Sequence, residues 1–128
     1  MKCPVCNEEM LTLELDGVEI DYCYSCGGIW LDEGELELLL ENTELKDKLL
    51  ASFTLAKRSR EKRRRCPICR KKMEKVFLGD EKNILLDRCP KRHGIWFDKG
   101  ELAEVVQLVS FDENNTILDF LKNLFLNK

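Results

Sequence analysis

Cys23-Tyr24-Ser25-Cys26-Gly27-Gly28-Ile29-Trp30-Leu31-Asp32-Glu33-Gly34-Glu35-Leu36 is the stretch from which the rest of the chain can be read. Its second half returns 66 residues on as Gly94-Ile95-Trp96-Phe97-Asp98-Lys99-Gly100-Glu101-Leu102, and Cys3-Pro4-Val5-Cys6 returns 63 residues on as Cys66-Pro67-Ile68-Cys69. The 128-residue chain therefore holds two copies of one unit, the second three residues longer in its middle. All seven cysteines and the single histidine belong to these copies: Cys3, Cys6, Cys23 and Cys26 in the first, Cys66, Cys69, Cys89 and His93 in the second.

A disulfide framework calls for a secreted context and an even cysteine count; the count here is odd, and Met1-Lys2-Cys3-Pro4-Val5-Cys6 is no signal peptide. The expectation is a cytoplasmic protein with reduced thiols. No membrane span is expected, because the most apolar stretch, Ile117 to Leu126, is interrupted by Asp119, Lys122 and Asn123 and falls well short of the ~20 residues a spanning helix needs. Reduced thiols in groups of four point to a metal. A Cys-x2-Cys turn puts two thiolates on one edge of a tetrahedron, and two such turns folded face to face complete the shell of a zinc ion. The first copy has that pattern with sixteen intervening residues. The second has nineteen, followed by Cys89-x3-His93, so that by register Arg92 stands where Cys26 does and the ligand has slipped one residue to His93. The longer imidazole can absorb the slip; the competing reading makes His93 a surface residue and leaves the second site incomplete. The expectation is two Zn2+ per chain, with iron as a rival at the all-thiolate first site.

Between its ligand pairs each copy reads as a β-hairpin. Leu11, Leu13 and Leu15 alternate with polar residues, Asp16-Gly17 makes a tight turn, and Val18, Ile20 and Tyr22 resume the alternation. In the second copy Val76 and Leu78 are joined to Ile84 and Leu86 by a longer loop at Gly79 to Asn83. Asp32 with Glu35, and Asp98 with Glu101, stand in capping-box register to start a helix whose apolar stripe is Leu36, Leu39 and Leu40, or Leu102, Val105 and Val106. Thr43 is the expected cap of a further helix carrying Leu45, Leu49, Phe53 and Ala56 on one face; Thr116 and Asp119 start another with Ile117, Phe120, Leu121, Leu124 and Phe125.

The predicted architecture is thus a small α+β zinc-binding protein. A first zinc ribbon with its helix occupies 1–42, a helical basic linker 43–65, a second ribbon with its helix 66–109, and a C-terminal amphipathic helix 110–128. Each ribbon is small enough to need its metal in order to fold.

Charge is strongly segregated. Residues 1–56 carry 3 basic and 13 acidic groups, residues 57–75 carry 11 and 2, and residues 76–128 carry 7 and 9. The basic run makes Lys57, Arg58, Arg60, Lys62, Arg63, Arg64, Arg65, Arg70, Lys71 and Lys72 candidate nucleic-acid contacts. The bland alternative is a solvated linker that docks on the acidic first copy.

Taken together, Cys3-Pro4-Val5-Cys6, Cys23 to Asp32 and Gly34-Glu35-Leu36 resemble the small prokaryotic zinc-finger domain named for its similarity to the zinc ribbon of general transcription factor IIB. The resemblance covers 3–40 and, with the histidine departure, 66–106. It implies a zinc ribbon, a cytoplasmic location and a link to transcription or nucleic acid. Trp30 and Trp96 belong to its pattern, with packing of the helix onto the ribbon as their expected role.

Closed four-ligand shells leave no position for water or substrate, and no other residues form a catalytic set, so the expectation is a non-enzymatic protein with no small-molecule substrate. The leading functional reading is an adaptor that binds RNA, DNA or a nucleoprotein complex of the transcription or translation machinery through its basic linker. The alternative is a protein-docking or self-associating scaffold that uses the apolar faces of the central and C-terminal helices.

Overall fold

The alternation of apolar residues in each copy becomes a pair of antiparallel strands. The computed structural model describes residues 1–41, 46–56, 64–79, 84–109 and 120. In the first copy β1 (Leu11–Leu15) pairs with β2 (Val18–Tyr22), and β2 with β3 (Ile29–Asp32). Asp16 and Gly17 both have positive φ, 51° and 82°, as a two-residue turn of matching twist requires. After β3 comes α1 (Glu35–Leu39), and then α2 (Lys46–Leu50) and β4 (Thr54–Leu55). The second copy repeats the plan with β5 (Glu74–Leu78), β6 (Ile84–Arg88), β7 (Gly94–Phe97) and α3 (Glu101–Val109).

The copies are joined. Strand β3 pairs antiparallel with β7, giving one seven-stranded sheet in the order β1-β2-β3-β7-β6-β5-β4. Trp30 lies opposite Trp96, with Ile29 opposite Phe97 and Leu31 opposite Ile95, so a local two-fold axis passes between the tryptophans. The sheet has two differently furnished faces. One carries the apolar stripe of the hairpins together with Ile29, Leu31 and Phe97, and is covered by Leu36, Leu39, Leu40, Leu49, Leu102, Val105 and Val106 from the helices of both copies. Because successive strand residues point to opposite sides, Trp30 and Trp96 face the other way. There they are fully buried with Cys3, Met10 and Cys23 of the first copy and Cys66, Met73 and Cys89 of the second. The tryptophans thus do not pack the helices onto the ribbons, as expected from sequence; they pack the two ligand clusters against each other's copy.

Two further expectations change. Asp32 does not cap α1, whose N-cap is Gly34 at φ 91°. Its carboxylate accepts the Trp30 indole N–H at 2.8 Å, while its backbone N–H donates to Glu35 Oε1 at 2.6 Å. Asp98 repeats the arrangement with Trp96 at 3.0 Å and with Glu101 at 2.6 Å. The buried indole N–H needs an acceptor more than the helix end needs a cap. The helix proposed for 43–65 runs only from Lys46 to Leu50 in the described part, and Thr54–Leu55 is extended. The cause is the open edge of β5: Ala56 N–H reaches Lys75 O at 2.9 Å, and Ser52 Oγ, which itself donates to Leu49 O, accepts Gly79 N–H at 2.9 Å. Of the C-terminal helix only Phe120 is described, half-buried and packed on the core. Thr43, Leu45, residues 57–63 and the rest of that helix lie outside the described residues.

Candidate metal centres

Each Cys-Pro-x-Cys turn closes on its own backbone. Asn7 N–H donates to Cys3 O at 2.9 Å and Arg70 N–H to Cys66 O at 2.8 Å, with Asn7 and Arg70 in the left-handed region at φ 60° and 67°. Two amides of the turn, Val5 and Cys6, point at Cys3 Sγ at 3.3 Å each, and Ile68 N–H points at Cys66 Sγ at 3.4 Å. Such donors favour the thiolate and fix its direction.

The opposing turns differ, and the difference explains the ligand slip. Between Cys23 and Gly28 the chain closes by Gly27 N–H to Cys23 O at 2.8 Å, with Gly27 at φ 79°. Between Cys89 and Gly94 it closes one residue sooner, by Arg92 N–H to Cys89 O at 2.9 Å, with Arg92 at φ 64°. The left-handed residue has moved one place towards Cys89, and the ligand position one place away from it. Both loops still end on the same bond, Cys23 N–H to Gly28 O and Cys89 N–H to Gly94 O.

The sequence-paired residues meet. One ligand atom from each of Cys3, Cys6, Cys23 and Cys26 lies within 4.8 Å of the others, and so do those of Cys66, Cys69, Cys89 and His93. Neither group draws on both copies. Zinc–sulfur bonds of about 2.3 Å in a tetrahedron set the sulfurs about 3.8 Å apart. Cys3 and Cys26 stand 3.7 Å apart, Cys69 and Cys89 3.7 Å, and His93 Nδ1 lies 3.4 Å from Cys89 Sγ and 3.9 Å from Cys66 Sγ. The donor sets and their spacing fit a tetrahedral dication. Burial pushes Cys3, Cys26 and Cys66 up to about 11, whereas a backbone N–H from Lys71 draws the open Cys69 down to about 6.

The second cluster lies amid cations. Arg65, Arg70, Lys71 and Lys72 are exposed around it and Arg64 is half-exposed. The Lys71 ammonium is held below its ordinary range by its neighbour Lys91. Lys75 departs from the basic run: it is 7 % exposed and paired at 2.8 Å with Asp87, itself 1 % exposed. Lys57, Arg58, Arg60, Lys62 and Arg63 lie outside the described residues. Sequence reasoning missed Met10 and Met73, which stand at equivalent positions and line the clusters. It also missed Lys2 and Asn7, which face the basic residues of the other copy across a groove. The same 63-residue offset that equates Cys3 with Cys66 equates Lys2 with Arg65 and Asn7 with Arg70, so the signal was present but needed the two-fold fold to be read.

Two tandem ribbons with one cluster of four potential ligands each define a metal-binding protein. A family model described as the transcription factor zinc-finger, the TFIIB-type zinc ribbon, matches residues 2–42 and again residues 65–108, and the chain belongs to that family. It carries two zinc sites. Comparison with curated proteins and with solved structures finds no match. No helix among the described residues is long and apolar enough to cross a membrane.

Proposed function

We propose that the chain is a non-enzymatic, cytoplasmic zinc-ribbon adaptor that binds nucleic acid, free or within a nucleoprotein of the transcription or translation machinery. In this reading the eight clustered residues are the ligands of two structural zincs. The observation that carries it is the exposed set Arg65, Arg70, Lys71 and Lys72, held on and beside a rigid metal turn at the end of the basic run. These four groups, in the described part of the basic run, stay open to an anionic partner. The scaffold alternative has less support, because Leu49 is buried in the chain's own core and Leu50 and Phe53 pack against it.

The test is a binding titration with short RNA and DNA over a range of salt. With Lys75 withdrawn into the core, about half of the remaining basic groups of 57–75 can face one strand, so a log–log slope of roughly −4 is expected. Replacing Arg58, Lys62 and Arg65 together should flatten that slope while zinc content stays at two per chain. Absence of binding by the unmodified protein at low salt would end this reading.

A further inference from the structure

The two-fold arrangement does more than bury the tryptophans. It brings the two Cys-Pro-x-Cys turns side by side, and between them lies a groove of about 300 Å³. Its walls are equivalent positions of the two copies: Lys2 and Arg65, Cys3 and Cys66, Pro4 and Pro67, Asn7 and Arg70, with Val5 and Arg64 completing the lining. Neither copy makes it alone. Four cations line it, one from the first copy and three from the second, and no carboxylate lines it among the described residues. The first copy is strongly acidic elsewhere, and Lys2 is one of only 3 basic residues in 1–56, so its place on this wall stands against the local charge.

Val5 adds an aliphatic side chain to the lining and stays 38 % exposed. The backbone of each wall is pinned by an isolated antiparallel β-bridge across its turn, Lys2 with Glu9 and Arg65 with Lys72. Arg65 further donates from Nη1 to Arg70 O at 3.1 Å, which orients its guanidinium. Concave, cationic on both sides and with the aliphatic Val5 in its lining, the groove suits an extended anionic chain. A single nucleic-acid strand has those features. A duplex is a convex rod and would meet only the lip. No aromatic side chain lines the groove among the described residues, so it offers phosphate contact without base stacking, and little sequence preference follows.

We infer that the groove between the two metal turns holds the phosphodiester backbone of a single strand, with Lys2 on one wall and Arg65 and Arg70 on the other. This rests on the nucleic-acid reading and adds to it a location and a residue, Lys2, outside the basic run. Lys2 is therefore the residue to change. The probes are a 12-nucleotide oligo-dT, an oligo-U of the same length and a 12-base-pair duplex, each followed by fluorescence anisotropy against the zinc-loaded 128-residue chain. Lys2→Glu should weaken both single strands about tenfold at low salt and make the salt slope shallower by about 0.7 for each phosphate that is no longer neutralised. Lys2→Arg should restore both, and zinc should remain at two per chain in each variant. If Lys2→Glu binds like the unmodified protein while the Arg58/Lys62/Arg65 variant fails to bind, the groove assignment is overturned and the broader reading stands. If the unmodified protein binds no probe, both fall. Equal or tighter binding of the duplex, with the same dependence on Lys2, would overturn the single-strand assignment.

Discussion

Gly28 and Gly94 are the positions at which each copy has made room for the other. A Cβ on Gly28 would lie 2.1 Å from Trp96 Cζ2, and one on Gly94 would lie 2.6 Å from Trp30 Cζ2 and 2.2 Å from the Leu31 carbonyl oxygen. Neither tryptophan can give way, because both are fully buried with their indole N–H groups held by Asp32 and Asp98. Gly28→Ala should therefore cost about 1–3 kcal/mol in denaturant unfolding of the zinc-loaded protein, as overpacking does. The clashing atoms belong to the six-membered part of the indole. In a Trp96→Phe background the same glycine substitution should cost clearly less, and the double-mutant cycle would measure the coupling. The residue pattern Gly-Ile-Trp-x-Asp was fully visible in the sequence. Its reason was not, since the partner of each glycine is a tryptophan 68 or 64 residues away along the chain, and only the β3–β7 pairing brings them together.

At the scale of elements the two hairpins have parted company on one face. Thr12 and Asp21 sit opposite each other on β1 and β2 and share an exposed hydrogen bond of 3.2 Å. At the same register on β5 and β6 stand Lys75 and Asp87, an ion pair almost wholly withdrawn from water. Removing one carboxylate from a pair this deeply buried takes away the charge that compensates Lys75 at 2.8 Å, so Asp87→Ala should destabilise by about 3–5 kcal/mol. Replacing both, as Lys75→Met with Asp87→Leu, should recover most of that loss. Asp21→Ala in the first hairpin should cost under about 1 kcal/mol, a contrast that denaturant midpoints of the three variants would read directly. Period-2 alternation and the Asp-Gly turn made the hairpins legible, and capping-box spacing located α1 and α3 to within a few residues. Strand β4 was not legible, because helical spacing of Leu45, Leu49, Phe53 and Ala56 competes with an open sheet edge that local sequence does not reveal. The buried state of Lys75 was hidden for a similar reason: a lysine in a basic run reads as solvated until its cross-strand partner is known.

For the molecule as a whole, the two clusters of potential ligands were legible down to His93, since eight donors divide cleanly into two fours by spacing alone. Their relation to each other was not. Sequence suggested two small ribbons, each folding with its own metal; the structure keeps each ligand set within one copy but places both on one face of one sheet, around one shared cluster of two tryptophans and two methionines. Structural zinc contributes about 10–16 kcal/mol in apparent binding free energy, while the net stability of a domain is about 5–15 kcal/mol. Loss of either metal from a shared core therefore removes as much free energy as holds the whole chain folded. The two zinc ribbons are therefore expected to unfold as one cooperative unit, and the groove between their turns with them. The most direct measurement of that cooperativity is native mass spectrometry during a chelator titration, with tryptophan fluorescence followed in parallel. Two zincs per chain are expected at the start, then a passage from the two-zinc to the metal-free species with little of the one-zinc form, and a single fluorescence transition coincident with it. A starting content near one zinc, or an abundant one-zinc species whose tryptophan signal is unchanged from the loaded protein, would contradict the single cooperative unit.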